Sequence, residues 1–162
     1  MTVRLSGPPA GTRGGRLDRA LLERRARQIL RSLGHARSEL SLSLVDDDQI
    51  AELNGSYRDR PRATDVLSFS LIEGDHADHR GALLGDVVVG IDTAARQAGE
   101  RRRSLDETVA KLVIHGVLHL LGHDHERDDE ARAMQSEERR LWREIRRSDK
   151  RPASKENRGS KS

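Results

Sequence analysis

The chain predicts an α+β domain: a small mixed sheet of three or four strands packed with about five helices. Three observations carry that expectation. Residues 39–45 (ELSLSLV) alternate apolar and polar, as a half-buried strand does. Residues 104–122 form one long run with a helical start signal, whose apolar residues cover nearly the whole helical circumference. The 162 residues suffice for one compact core. With 34% hydrophobic and 35% charged residues, the apolar side chains must be concentrated to build it, and most Leu, Val and Ile lie within 38–122. Order is expected from about Leu17 to Arg147. That divides the chain into a flexible stretch over 1–16, a single domain over 17–147 and a basic disordered tail over 148–162.

The elements follow in order. Residues 17–32 place Leu22, Ala26, Ile29 and Leu30 at helical spacing, and Gly34 stops the run. After the 39–45 strand, Asp46, Asp47 and Asp48 supply an N-cap for a short helix, QIAELNGSY. Thr64–Phe69 (TDVLSF) and Leu83–Val89 (LLGDVVV) read as two further strands, joined by the polar loop IEGDHADHRG. IDTAARQAGERRR, after Gly90, reads as a helix. In the next run Ser104 and Glu107 make a capping box and Gly122 is the stop. Apolar residues cover nearly the whole circumference between them, which marks a central buried helix. A last helix over about Asp128–Arg147 carries Ala131, Met134, Leu141, Trp142 and Ile145 as its inner stripe.

Composition removes several function classes. Cysteine is absent, so disulfides and thiolate metal sites are excluded, which fits a reducing compartment. The segment Met1–Gly15 lacks the apolar stretch of a secretory signal. No apolar run approaches the roughly 20 residues of a membrane span. The expectation is a cytoplasmic protein. Net charge is +3, but arginine crowds the first segment (Arg13 to Arg31) and lysine and arginine the last (Arg146 to Lys161). Such ends attract phosphate backbones at long range or simply keep the surface solvated. Tyr57, Phe69 and Trp142 are too few for a base-stacking platform, so any RNA must be held mainly through charge and shape.

Four of the seven histidines lie in HGVLHLLGHDH, residues 115–125. His115 and His119 are four apart on a helix. Four residues rise about 6 Å and turn about 400°, so both rings leave one face and can chelate one ion. A left-handed cap at Gly122 would reverse the chain and return His125 over that face as a third nitrogen. Three protein ligands leave a fourth position open, the mark of a catalytic site. A lone histidine on a buried helix is usually a hydrogen-bonded core residue. Three in this pattern on the most apolar helix are not explained by packing, because burying unpartnered imidazoles is costly. His123 faces another way by spacing, and Asp124 is a candidate acceptor for a ligand imidazole. The pattern also fits the ligand cage of zinc peptidases, H-E-x-x-H-x-x-G-x-x-H. Gly116 stands where their general-base glutamate would be, and glycine moves no proton.

Three stretches resemble the YbeY family, the bacterial endoribonucleases of ribosomal RNA maturation: NGSYRDRPRATDVLSF (54–69), LLGDVVV (83–89) and HGVLHLLGHDH (115–125). The resemblance implies one zinc ion per chain held at His115, His119 and His125, and an important arginine at Arg58. It implies single-stranded RNA as substrate, notably the 3′ end of the small-subunit ribosomal RNA, and a role in ribosome quality control. The small ribosomal subunit or its precursors would be the partners. The chain departs from the family's habit at His123, where tyrosine is common, and at Ser70, where proline is common. Neither position is a proposed ligand.

The chemistry is consistent with that class. Phosphodiester cleavage needs an activated nucleophile and positive charge against an anionic centre. A metal serves the first need, and a guanidinium at Arg58 pairing with phosphate oxygens serves the second. Read without the resemblance, Arg58 is more simply a surface arginine in a loop of arginines. Asp65 and Asp86 read as structural residues at strand ends, and Ser68 has no histidine partner placed by sequence. Two other functions fit the same residues: a zinc hydrolase of another ester, and an RNA-binding ribosome assembly factor with a structural metal. Three imidazoles suit zinc and also nickel or copper.

Overall fold

The computed structural model describes residues 3–58, 61–71 and 83–151. A short strand β1 (Val3–Ser6) and a 3-10 turn (Arg13–Arg16) lead into α1 (Arg19–Ser32). Then come β2 (Glu39–Val45), α2 (Asp47–Arg58), β3 (Val66–Ser70) and β4 (Leu83–Gly90). Three helices complete the chain: α3 (Ile91–Arg101), α4 (Leu105–Leu120) and α5 (Asp128–Lys150). The four strands form one mixed sheet in the order β1-β2-β4-β3. β1, β2 and β4 are parallel, with Leu42 opposite both Leu5 and Val87, and β3 runs antiparallel along β4 from Val66↔Val89 to Ser70↔Gly85.

The alternation in β2 decides which face is covered. Leu40, Leu42 and Leu44 are buried and join α1, α4 and α5 in the main core, where Leu30, Ile114, Leu118 and Leu141 meet. On the opposite face Ile50 of α2 packs with Leu67 and Val88 in a smaller cluster. β4 therefore buries side chains on both faces, which explains its unbroken Val87-Val88-Val89 run. α4 is the central helix: Val109, Val113, Val117 and Leu118 are fully buried.

The caps fall where the sequence puts them, but at Ser104 only half of the expected box forms. Asp46 and Gln49 form a reciprocal pair at the start of α2, the Gln49 N–H donating to Asp46 Oδ1 at 2.8 Å and the Asp46 N–H to Gln49 Oε1 at 3.1 Å. Ser104 Oγ accepts the Glu107 N–H at 3.0 Å. The Glu107 carboxylate pairs instead with Lys111 at 3.0 Å.

Order begins earlier than the expected boundary at Leu17. Val3 is buried against the core, β1 pairs with β2 from Val3↔Leu40 to Ser6↔Ser43, and the Arg13 N–H donates to Asp92 at 2.9 Å. Two apolar side chains in four residues are too weak a local signal; the strand exists because β2 offers it an edge 37 residues away. Part of the basic first segment is also structural. Arg25 bonds Asp149 at 2.8 Å and lies over the Trp142 ring, and Arg19 donates to the Leu5 carbonyl at 3.1 Å. α5 runs to Lys150. The expected polar loop after β3 and most of the expected tail lie outside the described residues. Among the described residues, no helix is long and apolar enough to cross a membrane.

Candidate metal centre

α4 ends as the glycine predicts. Gly122 has φ 93°, its N–H donates to the His119 carbonyl at 3.0 Å, and the His123 N–H donates to the Leu118 carbonyl at 3.0 Å. This paired closure reverses the chain and carries the next residues back over the helix end. One candidate ring nitrogen from each of His115, His119 and His125 then lies within 4.8 Å of the others. Ring centroids are 4.6 Å apart for His115 and His119, 5.3 Å for His119 and His125, and 5.9 Å for His115 and His125.

The donor chemistry fits a metal. His115 Nε2 and His119 Nε2 stand 3.1 Å apart. A tetrahedral ion with nitrogens at about 2.0–2.1 Å sets two of them about 3.3 Å apart, so little adjustment is needed for both to share one ion. Burial, with the neighbouring His115 and His125, holds the His119 imidazole below its usual range, against a smaller opposing pull from Asp124. The neutral ring is the form that binds metal.

Polar ties from the sheet hold the histidine face in place. Ser68 Oγ donates to the Gly116 carbonyl at 2.9 Å, and Ser70 Oγ to the Leu120 carbonyl at 3.3 Å. Gly116 also lets α4 sit close to β4: a Cβ there would lie 2.8 Å from Val87 Cγ1 and 3.1 Å from Ser68 Oγ. The position that carries a glutamate in zinc peptidases therefore faces the sheet and has no room for a side chain.

A cleft of about 850 Å³ opens over the histidines, with β3 and the end of α2 on one wall and Gly122 to Glu126 on the other. Arg58 lies in that cleft, in the last turn of α2, with Nη2 donating to the Ser68 carbonyl at 2.7 Å and its guanidinium over the Phe69 ring at 5.7 Å. Its charge reaches His119 and adds slightly to the lowering of that ring. Asn54, buried, donates to the Arg62 carbonyl at 3.1 Å and ties down the segment that follows. Asp65 accepts from Gln97 at 3.0 Å, the structural role expected of it.

The expected acceptor for a ligand imidazole changes. Asp124 accepts the main-chain N–H of His125 at 2.7 Å, while its Oδ1 stands 3.9 Å from His125 Nδ1; it shapes the loop rather than holding the ring. The carboxylate that does reach a cluster imidazole is Glu138 of α5, with Oε2 at 3.1 Å from His115 Nδ1. Position 138 continues the Met134, Leu141, Ile145 stripe, so a charged residue on a core-facing stripe was the sequence signal for it.

Fold and cluster define a class: an α+β domain whose central helix presents three histidines, able to hold one metal ion, at an open cleft that also holds an arginine. The comparisons narrow it. The family profile described as Endoribonuclease YbeY matches residues 15–146. Endoribonuclease YbeY of Anaeromyxobacter dehalogenans is 46% identical over 144 residues, covering 88% of this chain and 71% of that protein. The protein of the same name from Syntrophotalea carbinolica is 42% identical over 127 residues, covering 77% of this chain and 85% of the relative. Among solved structures, TM1509 from Thermotoga maritima superposes with a TM-score of 0.59 at 26% identity, over 92% of this chain and 94% of the other. The chain belongs to the YbeY endoribonuclease family.

Proposed function

We propose that this chain is a metal-dependent endoribonuclease of ribosomal RNA maturation. It acts on single-stranded RNA at the small-subunit 3′ end and in ribosome quality control, in the cytoplasm, with the small ribosomal subunit or its precursors as partners. One observation carries the reading: three imidazole nitrogens within 4.8 Å of one another share a cleft with Arg58, on a chain of this family. His115, His119 and His125 hold one zinc ion. When bound, it activates water for attack and draws charge from the phosphate.

The remaining work falls to the chain's own side chains. Arg58 spends one N–H group on the Ser68 carbonyl and lies over the Phe69 ring, two contacts that hold the guanidinium at the cleft. Its other N–H groups bind phosphate oxygens and offset the negative charge that grows at phosphorus. Burial lowers the proton affinity of His119 and so favours the neutral ring that a metal ligand requires. Recognition is by backbone charge and cleft shape, in keeping with a chain of three aromatic residues.

The test is cleavage of a ribosomal RNA 3′-end fragment by the purified chain, with His119→Ala and Arg58→Ala alongside at matched folding. The expected result is cleavage by the parent, none by His119→Ala, and a rate about 100-fold lower for Arg58→Ala at unchanged zinc affinity. Equal cleavage by parent and His119→Ala would sink the metal mechanism. Zinc binding without cleavage by the parent, even on ribosomal subunits, would make the chain an assembly factor with a structural metal.

A further inference from the structure

We infer that Glu138 is a positioning residue for the metal centre, fixing the tautomer and the plane of His115; the inference rests on the metal reading proposed above. Glu138 Oε2 lies 3.1 Å from His115 Nδ1, and the other ring nitrogen, Nε2, is the one 3.1 Å from His119. The carboxylate therefore sits on the far side of the imidazole from the cluster and cannot itself join the ligands. A carboxylate only accepts, so the Nδ1 it faces carries the proton. That leaves the Nε2 lone pair directed at the cluster, in the arrangement that raises ligand basicity and fixes ring orientation.

An ordinary surface ion pair explains the contact less well. Glu138 stands at the edge of the stripe that packs α5 inward, between Met134 and Leu141, both about 1% exposed, with its own side chain 32% exposed. A helix packed in this way would normally place an apolar side chain there. Lys111 is nearby, lining the same shallow depression, yet its ammonium goes to Glu107 at 3.0 Å and over Trp142. Among the described residues, the ion pairs reaching Glu138 involve His115 alone. The other acidic candidate, Asp124, bonds main chain and leaves its neighbouring ring at 3.9 Å. Among the described residues, Glu138 is the α5 side chain that an ion pair ties to the cluster.

The test compares the full-length parent with Glu138→Ala and with Glu138→Gln, which keeps an acceptor oxygen. Two readouts are used: the tautomer of His115 by imidazole nitrogen NMR on metal-free protein at pH 8, and cobalt(II) affinity with its visible spectrum. The parent should show the Nδ1–H form, which Glu138→Ala loses and Glu138→Gln keeps. Cobalt affinity should fall by about 10- to 100-fold in Glu138→Ala and by only a few-fold in Glu138→Gln, with an altered spectrum in the former. Metal-free unfolding of all three should agree. An unchanged tautomer in Glu138→Ala, or equal cobalt losses in both variants, would overturn the inference. A parent that shows the tautomer preference but takes no cobalt would overturn the metal reading instead.

Discussion

The two halves of α4 are built from one apolar run and held by different forces. In the first half, Ser104 caps the helix through the Glu107 N–H, and Val109, Ala110 and Val113 are wholly buried. Apolar contact from α1, α3 and α5 does most of the holding, and Asp106 adds one surface tie by accepting the Asp18 N–H at 2.9 Å. In the second half, Val117 and Leu118 remain in the core, but His115 and His119 turn to an open cleft. There the helix is tied by hydroxyls from β3, by Gly116 against Val87, and by the closure at Gly122. A helix end that must leave one face open for chemistry loses contacts on that face. Hydrogen bonds and a close glycine approach on the other face replace them.

The sharpest way to break this contrast is a pair of substitutions. His119→Ala should abolish cleavage and lower zinc affinity by at least about 100-fold, since a lost ligand costs more than a lost outer partner. Val113→Ala, one and a half turns earlier, should cost about 2 kcal/mol of stability by urea unfolding and leave zinc affinity alone. If both changes struck affinity equally, the division between the halves would be false. Gly116→Ala should cost about 1–3 kcal/mol, because Val87 and Ser68 must move, and zinc affinity should fall with it. Gly122→Ala meets no neighbour within 4 Å, so its cost of about 1–2 kcal/mol comes from the left-handed backbone alone. Weaker zinc binding there would show that the turn places His125.

The smallest expected effect is on pH. His119 has its proton affinity lowered in the folded chain, so on acidification the unfolded state takes up the proton first. In metal-free protein this stability is complete above the ordinary histidine value of about 6.5. It is lost as pH falls from there through the lower folded value. The urea midpoint should therefore drop more between pH 7.5 and pH 5 in the parent than in His119→Ala. Equal drops would remove His119 as the source.

Most of the fold and the centre of the site were legible because their signals are local. The 39–45 alternation matches β2 residue for residue, and the Ser104 and Gly122 signals bracket α4. His115 and His119 follow from helical periodicity, and the return of His125 from one glycine. Arg58 is now in the same cleft, though nothing in its surroundings by sequence, a run of arginines, set it apart. β1 was missed because its stability is a pairing, not a pattern. Glu138 escapes apolar periodicity, because the stripe it interrupts is marked by its apolar residues and the glutamate falls between them.

Residue order alone determined the class of domain, the central helix and the three imidazoles that can share a metal, since each depends on spacing within a few residues. Tertiary structure decided which carboxylate serves His115, why Gly116 carries no side chain, and that α2 delivers Arg58 over the same cleft. Those contacts join residues 23, 29 and 10 positions apart, as Glu138 to His115, Gly116 to Val87 and Arg58 to Ser68. No local periodicity encodes such distances; only the packing of helices on the sheet brings them within reach.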